Sequence, residues 1–140
     1  MNERSDHGHT VLLVDDNEDV RSLMRFWLEE RGYSVVQAAD GELAVEAALR
    51  ERPNVILMDI CMPHLNGFNA ARRILAHEHL SDVPIIAITA HDLEELHGAA
   101  LDAGCVELLG KPVDSDRLES VLSRLLSDPV DASGARSVTE

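Results

Sequence analysis

Nothing in this chain approaches the ~20 consecutive apolar residues that a helix needs to cross a bilayer, which argues against a membrane-spanning role. Residues 1–10 are polar and lack the apolar stretch of a secretory signal, so a cytoplasmic location is expected. Basic residues are scarce, with 12 Lys and Arg against 26 Asp and Glu and a formal charge of -14. Nucleic-acid affinity rests on Lys and Arg that neutralise phosphates, so DNA and RNA are poor partners. An anionic membrane surface is disfavoured for the same reason. The charge suits protein partners, cations or plain solubility. Cysteine is nearly absent: Cys61 and Cys105 stand alone, neither in a Cys-x-x-Cys pair. Two free thiols are expected rather than a disulfide or a zinc site.

What is present is a repeating grammar. The chain has 140 residues, 45% of them hydrophobic, which suits one domain with one core. Residues 11–14 form an apolar run that stops abruptly at Asp15 and Asp16, the pattern of a fully buried strand. Val20, Leu23, Met24, Trp27 and Leu28 then recur at helical spacing, predicting a helix that buries this face and turns Arg21, Arg25 and Glu29 outward. Asn17 can cap its start, Glu18 and Asp19 favour its positive end, and Gly32 suits its stop. Strands are expected again over residues 34–38, 55–58, 85–89 and 106–109. Helices are expected over 41–50, near 68–76, around 93–103, and beyond Lys111-Pro112 on a face of Leu118, Val121, Leu122 and Leu125. Residues 1–9 read as a flexible leader, 10–126 as the domain, and 127–140 as a disordered tail.

Five strand-helix units in alternation imply a parallel sheet covered on both faces, an α/β doubly wound fold. Ligands of such sheets bind at the carboxyl ends of the strands. The residues there form a pattern. The first strand ends in Asp15-Asp16, the third in Asp59, the fourth in Thr89-Ala90, and the fifth just before Lys111-Pro112. Three neighbouring carboxylates repel one another unless a cation sits among them, and one lysine is too little. Hard oxygen ligands suit Mg²⁺. A metal and a lysine together can stabilise a phosphoryl group in transfer, with Asp59, on a middle strand, as the carboxylate best placed to attack phosphorus.

These motifs resemble the receiver domain of bacterial two-component response regulators. The residues that carry the resemblance are Val14-Asp15-Asp16-Asn17, Asp59-Ile60-Cys61-Met62-Pro63 with Asn66-Gly67, Thr89-Ala90 and Lys111-Pro112. It spans about residues 10–126. It implies a flavodoxin-like strand order 2-1-3-4-5. It also implies that Asp59 takes a phosphoryl group from a phosphohistidine on a sensor kinase or a phosphotransfer protein. By the same resemblance Asp16 binds Mg²⁺ directly, Asp15 largely through water, and Cys61 through its backbone carbonyl. Lys111 pairs with the phosphoryl oxygens, while Thr89, with Ala90 beside it, starts a conformational switch. A cis Lys111-Pro112 bond is implied as well. Two positions depart from the family. Leu108 stands where many members have an aromatic that turns inward with the threonine, and Val113 where many have Phe.

Taken singly, these residues have plainer readings. Asp15-Asp16 alone would cap a helix, Thr89 would bond to backbone, and Lys111 would be a solvated charge; it is their convergence that favours a site. Of seven histidines only His91 stands at its mouth. Cys61 and His91, each two residues beyond a site residue, are expected to set the lifetime of the phosphorylated form. A nucleotide-binding fold would want a glycine-rich loop where Asp15-Asp16-Asn17-Glu18-Asp19 stands. A phosphohydrolase would put an alternating Asp-x-Asp there. A receiver-like interaction module working without phosphorylation is the alternative, and such modules lose one or more of the five site residues, all present here. The expected function is therefore that of a stand-alone phosphoacceptor, not a turnover enzyme, acting on an unidentified downstream protein. A homodimer stays open.

Overall fold

In the computed structural model, which describes residues 8–60, 67–90 and 93–126, the apolar runs pair into a single sheet. In chain order the elements are β1 (Thr10–Val14), α1 (Glu18–Glu30), β2 (Ser34–Ala38), α2 (Gly41–Glu51), β3 (Val55–Asp59) and α3 (Gly67–Leu75). They continue with β4 (Ile85–Thr89), α4 (Leu93–Asp102), β5 (Glu107–Gly110) and α5 (Ser115–Leu126). The strands are parallel in the order β2-β1-β3-β4-β5, as the resemblance implied. Among the described residues no helix is long and apolar enough to cross a membrane.

Side chains alternate across a strand, so each strand feeds two cores. Leu12, Val14, Ile56, Met58, Ile85 and Ala87 pack with Ala44, Ala48, Phe68, Ile74 and Ala100, against α2, α3 and α4. Val11, Leu13, Val55, Leu57, Ile86 and Ile88 pack on the other face with Leu28, Leu118, Val121 and Leu122, against α1 and α5. Every residue of β3 and β4 is buried. That double burial is why these strands read as unbroken apolar runs. The helix starts follow the sequence too. The Asn17 side chain accepts from the Val20 N–H, and Asp40 does the same for Leu43.

Three details differ from the periodicity. The packing face of α1 is centred nearer Leu28 than the pattern implied, and Leu23, on its flank, is 72% exposed. Arg21 stands two turns ahead of Leu28 on the same side of the helix and is half-buried toward the sheet, not turned outward. The last strand begins one residue later than expected, leaving Val106 exposed and ending at Gly110. In addition, a short 3₁₀ turn at Glu78–Leu80 carries Leu80 into the core, which the sequence pattern did not signal. The Lys111-Pro112 bond is cis. Cys105 is a free, buried thiol whose pKa burial pushes up to about 11, as suits an inert core residue. The leader through residue 7 and the segment from 127 onward lie outside the described residues.

Gly67 ties α3 to the carboxyl end of β3. A Cβ there would collide with the Ile60 Cα and come within 3.0 Å of the Asp59 carbonyl oxygen. Both are backbone atoms and cannot swing aside. Gly67→Ala is therefore expected to destabilise the fold by about 1–3 kcal/mol, the usual cost of overpacking, measured by urea unfolding. A loss far below that range would mean that α3 can shift without cost.

Candidate functional site

The sheet ladder carries the site. At the end of β1 the Asp15 N–H donates to the Ala38 carbonyl at 3.1 Å. At the end of β3, Asp59 pairs in register with Ile88, and the Ile60 N–H donates to the Ile88 carbonyl at 3.1 Å. Beyond β5 the Lys111 N–H donates to the Thr89 carbonyl at 2.8 Å. Backbone bonds between adjacent strands thus set the residues that follow them on one rim. Asp15 and Asp59 are each 5% exposed and Thr89 is fully buried, whereas Asp16 and Ala90 face solvent.

The lysine crosses that rim. Its Nζ lies 2.9 Å from Asp59 Oδ2 and 3.4 Å from Asp15 Oδ2. Asp15, Asp16 and Asp59 each offer a carboxylate oxygen, and these oxygens lie within 4.8 Å of one another. Two buried carboxylates at such a separation repel by roughly 3 kcal/mol at an effective dielectric near 20. Burial raises the Asp15 pKa above its ordinary 3.8, and the charge of Asp59 adds to this; the Asn17 N–H and Lys111 only partly oppose it. For Lys111, burial works against its charge. The hydrogen bond to Asp59 and the fields of Asp59 and Asp15 outweigh that and raise its pKa.

Three carboxylates and one ammonium leave a net negative charge in a half-buried rim. A divalent cation with oxygen ligands is the partner that this donor set fits. Mg²⁺ keeps several waters and takes few protein ligands, which suits two buried acids and one exposed one. Among the described residues Asp15, Asp16 and Asp59 form the one cluster of this kind. Of the other expected site residues, Leu108 lies half-buried on β5, against the core on the α4 side. Cys61 and His91 lie outside the described residues.

One contributor was not foreseen. Arg21 Nη1 donates to the Asp15 carbonyl at 2.8 Å, and its Nε donates to Gln37 Oε1 at 3.3 Å. Its spacing of seven from Leu28 could have placed it on the sheet side, but helical charge patterning alone read it as a solvated residue.

Comparison with known proteins agrees with this geometry. A family model described as the response regulator receiver domain matches residues 11–123. Protein PilH of Pseudomonas aeruginosa is 35% identical over 117 residues, covering 84% of this chain and 97% of that protein. Among solved structures, the receiver domain of the sensor histidine kinase PA1611 of Pseudomonas aeruginosa is 39% identical with a TM-score of 0.78. That match covers 84% of this chain and 97% of the other, which holds a magnesium ion in its active-site cleft. The chemotaxis protein CheY4 of Vibrio cholerae gives a TM-score of 0.79 at 30% identity, over 84% of this chain and 98% of its own.

The Asp15 shift has a signed consequence. Asp15 binds its proton more tightly folded than unfolded, so above both pKa values its charge costs stability. The cost is relieved as pH falls through the folded pKa toward 3.8. Asp15→Asn removes the charge at the same shape. It is expected to stabilise the metal-free protein at neutral pH, with the gain shrinking in acid. Urea unfolding with a chelator at several pH values measures both proteins. A gain that does not shrink would contradict the stated cause.

Proposed function

Because the chain belongs to the family of response regulator receiver domains, we propose that it is a phosphorylation switch with Asp59 as phosphoacceptor. The donor is a phosphohistidine on a sensor histidine kinase or a phosphotransfer protein, and the output is an altered surface offered to a downstream protein. The observation that carries this reading is Lys111 held between the buried carboxylates of Asp59 and Asp15, with Asp16 beside them. Mg²⁺ would be held by Asp15, Asp16, Asp59 and the Cys61 carbonyl; it supplies charge neutralisation for the incoming phosphoryl oxygens.

The chain's own residues then act mostly by position and charge, as phosphoryl transfer requires. An Asp59 oxygen forms the bond to phosphorus while the bond to the donor nitrogen breaks, and that electron pair stays on the imidazole. Lys111 is already within ion-pair distance of Asp59, so its ammonium meets the phosphoryl oxygens as they arrive. Thr89, at the end of β4, offers its hydroxyl to the same oxygens. The chain is not a turnover enzyme in this reading; it loads and slowly unloads one group.

A donor has to reach this rim. Beside Lys111 an apolar groove of about 480 Å³ opens between Val20, Leu23 and Met24 of α1 and Pro112 and Val113. Leu23 and Phe26 are exposed on that helix. An apolar face on the phosphate donor has a place to pack there. The acidic balance of the chain argues against nucleic acid as a partner.

The switch must work without the usual aromatic. A phosphoryl group shifts an equilibrium only through contacts that differ between states, here those of Thr89 and Lys111. Leu108 has no ring to turn. The start of α4 is the better lever, since Leu93 packs on Gly110, where an added Cβ would be 3.4 Å from its Cδ1. A receiver-like module that binds partners without phosphorylation is the second reading. The presence of Asp15, Asp16, Asp59, Thr89 and Lys111 together weighs against it.

Asp59→Asn is expected to abolish labelling by a small phosphodonor in Mg²⁺, read by intact mass, and chelation should do the same to the unaltered chain. Undiminished labelling of the variant would sink the assignment to Asp59, and no labelling of the unaltered chain would favour the second reading. Replacing Cys61 or His91 should change the dephosphorylation rate while labelling persists. Equal rates in a decay assay would remove both from that role.

A further inference from the structure

Arg21 belongs to no motif that carries the family resemblance, yet it reaches the loop that carries two of the three acids. Its Nη1 donates to the Asp15 carbonyl at 2.8 Å, from the second turn of α1 back to the end of β1. Gln37 of β2 accepts from its Nε at 3.3 Å and so orients the guanidinium from the neighbouring strand. The carbonyl of Asp15 and the N–H of Asp16 share one planar peptide, which runs from the Cα of one acid to the Cα of the next. Fixing that carbonyl oxygen fixes the plane to which both side chains are attached.

The two acids depend on this plane unequally. Asp15 has further anchors: its N–H on Ala38, its Oδ1 on the Asn17 N–H at 2.9 Å, and its Oδ2 toward Lys111. Asp16 is exposed, and among the described residues no hydrogen bond holds its carboxylate. Its place in the cluster therefore follows from the backbone. We propose that Arg21 is a positioning residue for the cation, holding the Asp15–Asp16 peptide so that the three carboxylates converge before the ion arrives. This rests on the reading of the cluster as a Mg²⁺ site.

The effect of charge has the opposite sign. A guanidinium this near the site repels a divalent cation, so a role through charge alone would make Arg21 a hindrance. Positioning wins if its removal weakens binding. Residues that orient ligands from outside the coordination shell change metal affinity by about 10-fold or more when lost.

The test is calorimetric titration of Mg²⁺ into the metal-free full chain, with the melting temperature recorded before metal is added. Arg21→Ala should bind about 10-fold more weakly. Arg21→Lys keeps the charge but loses the fixed fork, and should lie between that variant and the unaltered chain. It also serves if Arg21→Ala fails to fold, since weakening at constant charge can come only from geometry. A lowered melting temperature with unchanged Mg²⁺ affinity would show a merely structural arginine and overturn the proposal. So would tighter binding in Arg21→Ala, which would show charge alone. Both results leave the Mg²⁺ reading standing. Absence of saturable Mg²⁺ binding in the unaltered chain would instead overturn that reading, and the role of Arg21 with it.

Discussion

Lys111 reaches across the sheet to Asp59 at 2.9 Å and Asp15 at 3.4 Å, and this contact makes the remaining charge imbalance the central constraint of the molecule. Each partner would be costly alone. Either buried carboxylate without the ammonium would be an uncompensated charge, and a half-buried lysine without them would lose its proton more readily. Even paired, the rim keeps more negative charge than positive, and burial raises the Asp15 pKa, with the charge of Asp59 adding to it. A divalent cation would offset that imbalance, and a bound group shifts a conformational equilibrium only through contacts that differ between the states.

The fold makes that arrangement possible by separating two tasks. The cores on either face of the sheet hold β1, β3 and β4 through residues that are almost wholly buried. Stability therefore rests on side chains within the strands, and the rim can carry unfavourable charge. Register does the rest. The ladder places Asp59 opposite Ile88 and the residue after β5 beside Thr89, so acids and lysine from distant parts of the chain meet without long loops. Gly67 lets α3 approach the backbone of Ile60, the residue that follows Asp59.

The fold was largely legible in the sequence because its strands are buried on both faces and stop at charged residues. The runs before Asp15 and Asp59 are the plainest cases. The convergence of Asp15, Asp59 and Lys111 was legible for a related reason, since strand ends in a parallel sheet share one rim. What periodicity could not supply was the rotation of each helix about its axis. A shift of the α1 packing face toward Leu28 exposes Leu23 and brings Arg21 onto the sheet, and both follow from packing against β1 and β2 rather than from local pattern. The turn that buries Leu80 escaped for a similar reason: a single apolar residue among polar ones has no period.

The claim on which the rest turns is that the acidic rim demands a divalent cation. Thermal unfolding of the full chain in Mg²⁺ and in NaCl of equal ionic strength tests it most directly. Ligand that binds only the folded state at 100 times its dissociation constant stabilises by about 2.7 kcal/mol, enough to move the melting temperature by several degrees. The account predicts that rise in Mg²⁺, absent in NaCl, and largely lost in Asp16→Asn, whose exposed side chain can change without disturbing the core. Identical melting curves in the two salts would contradict it.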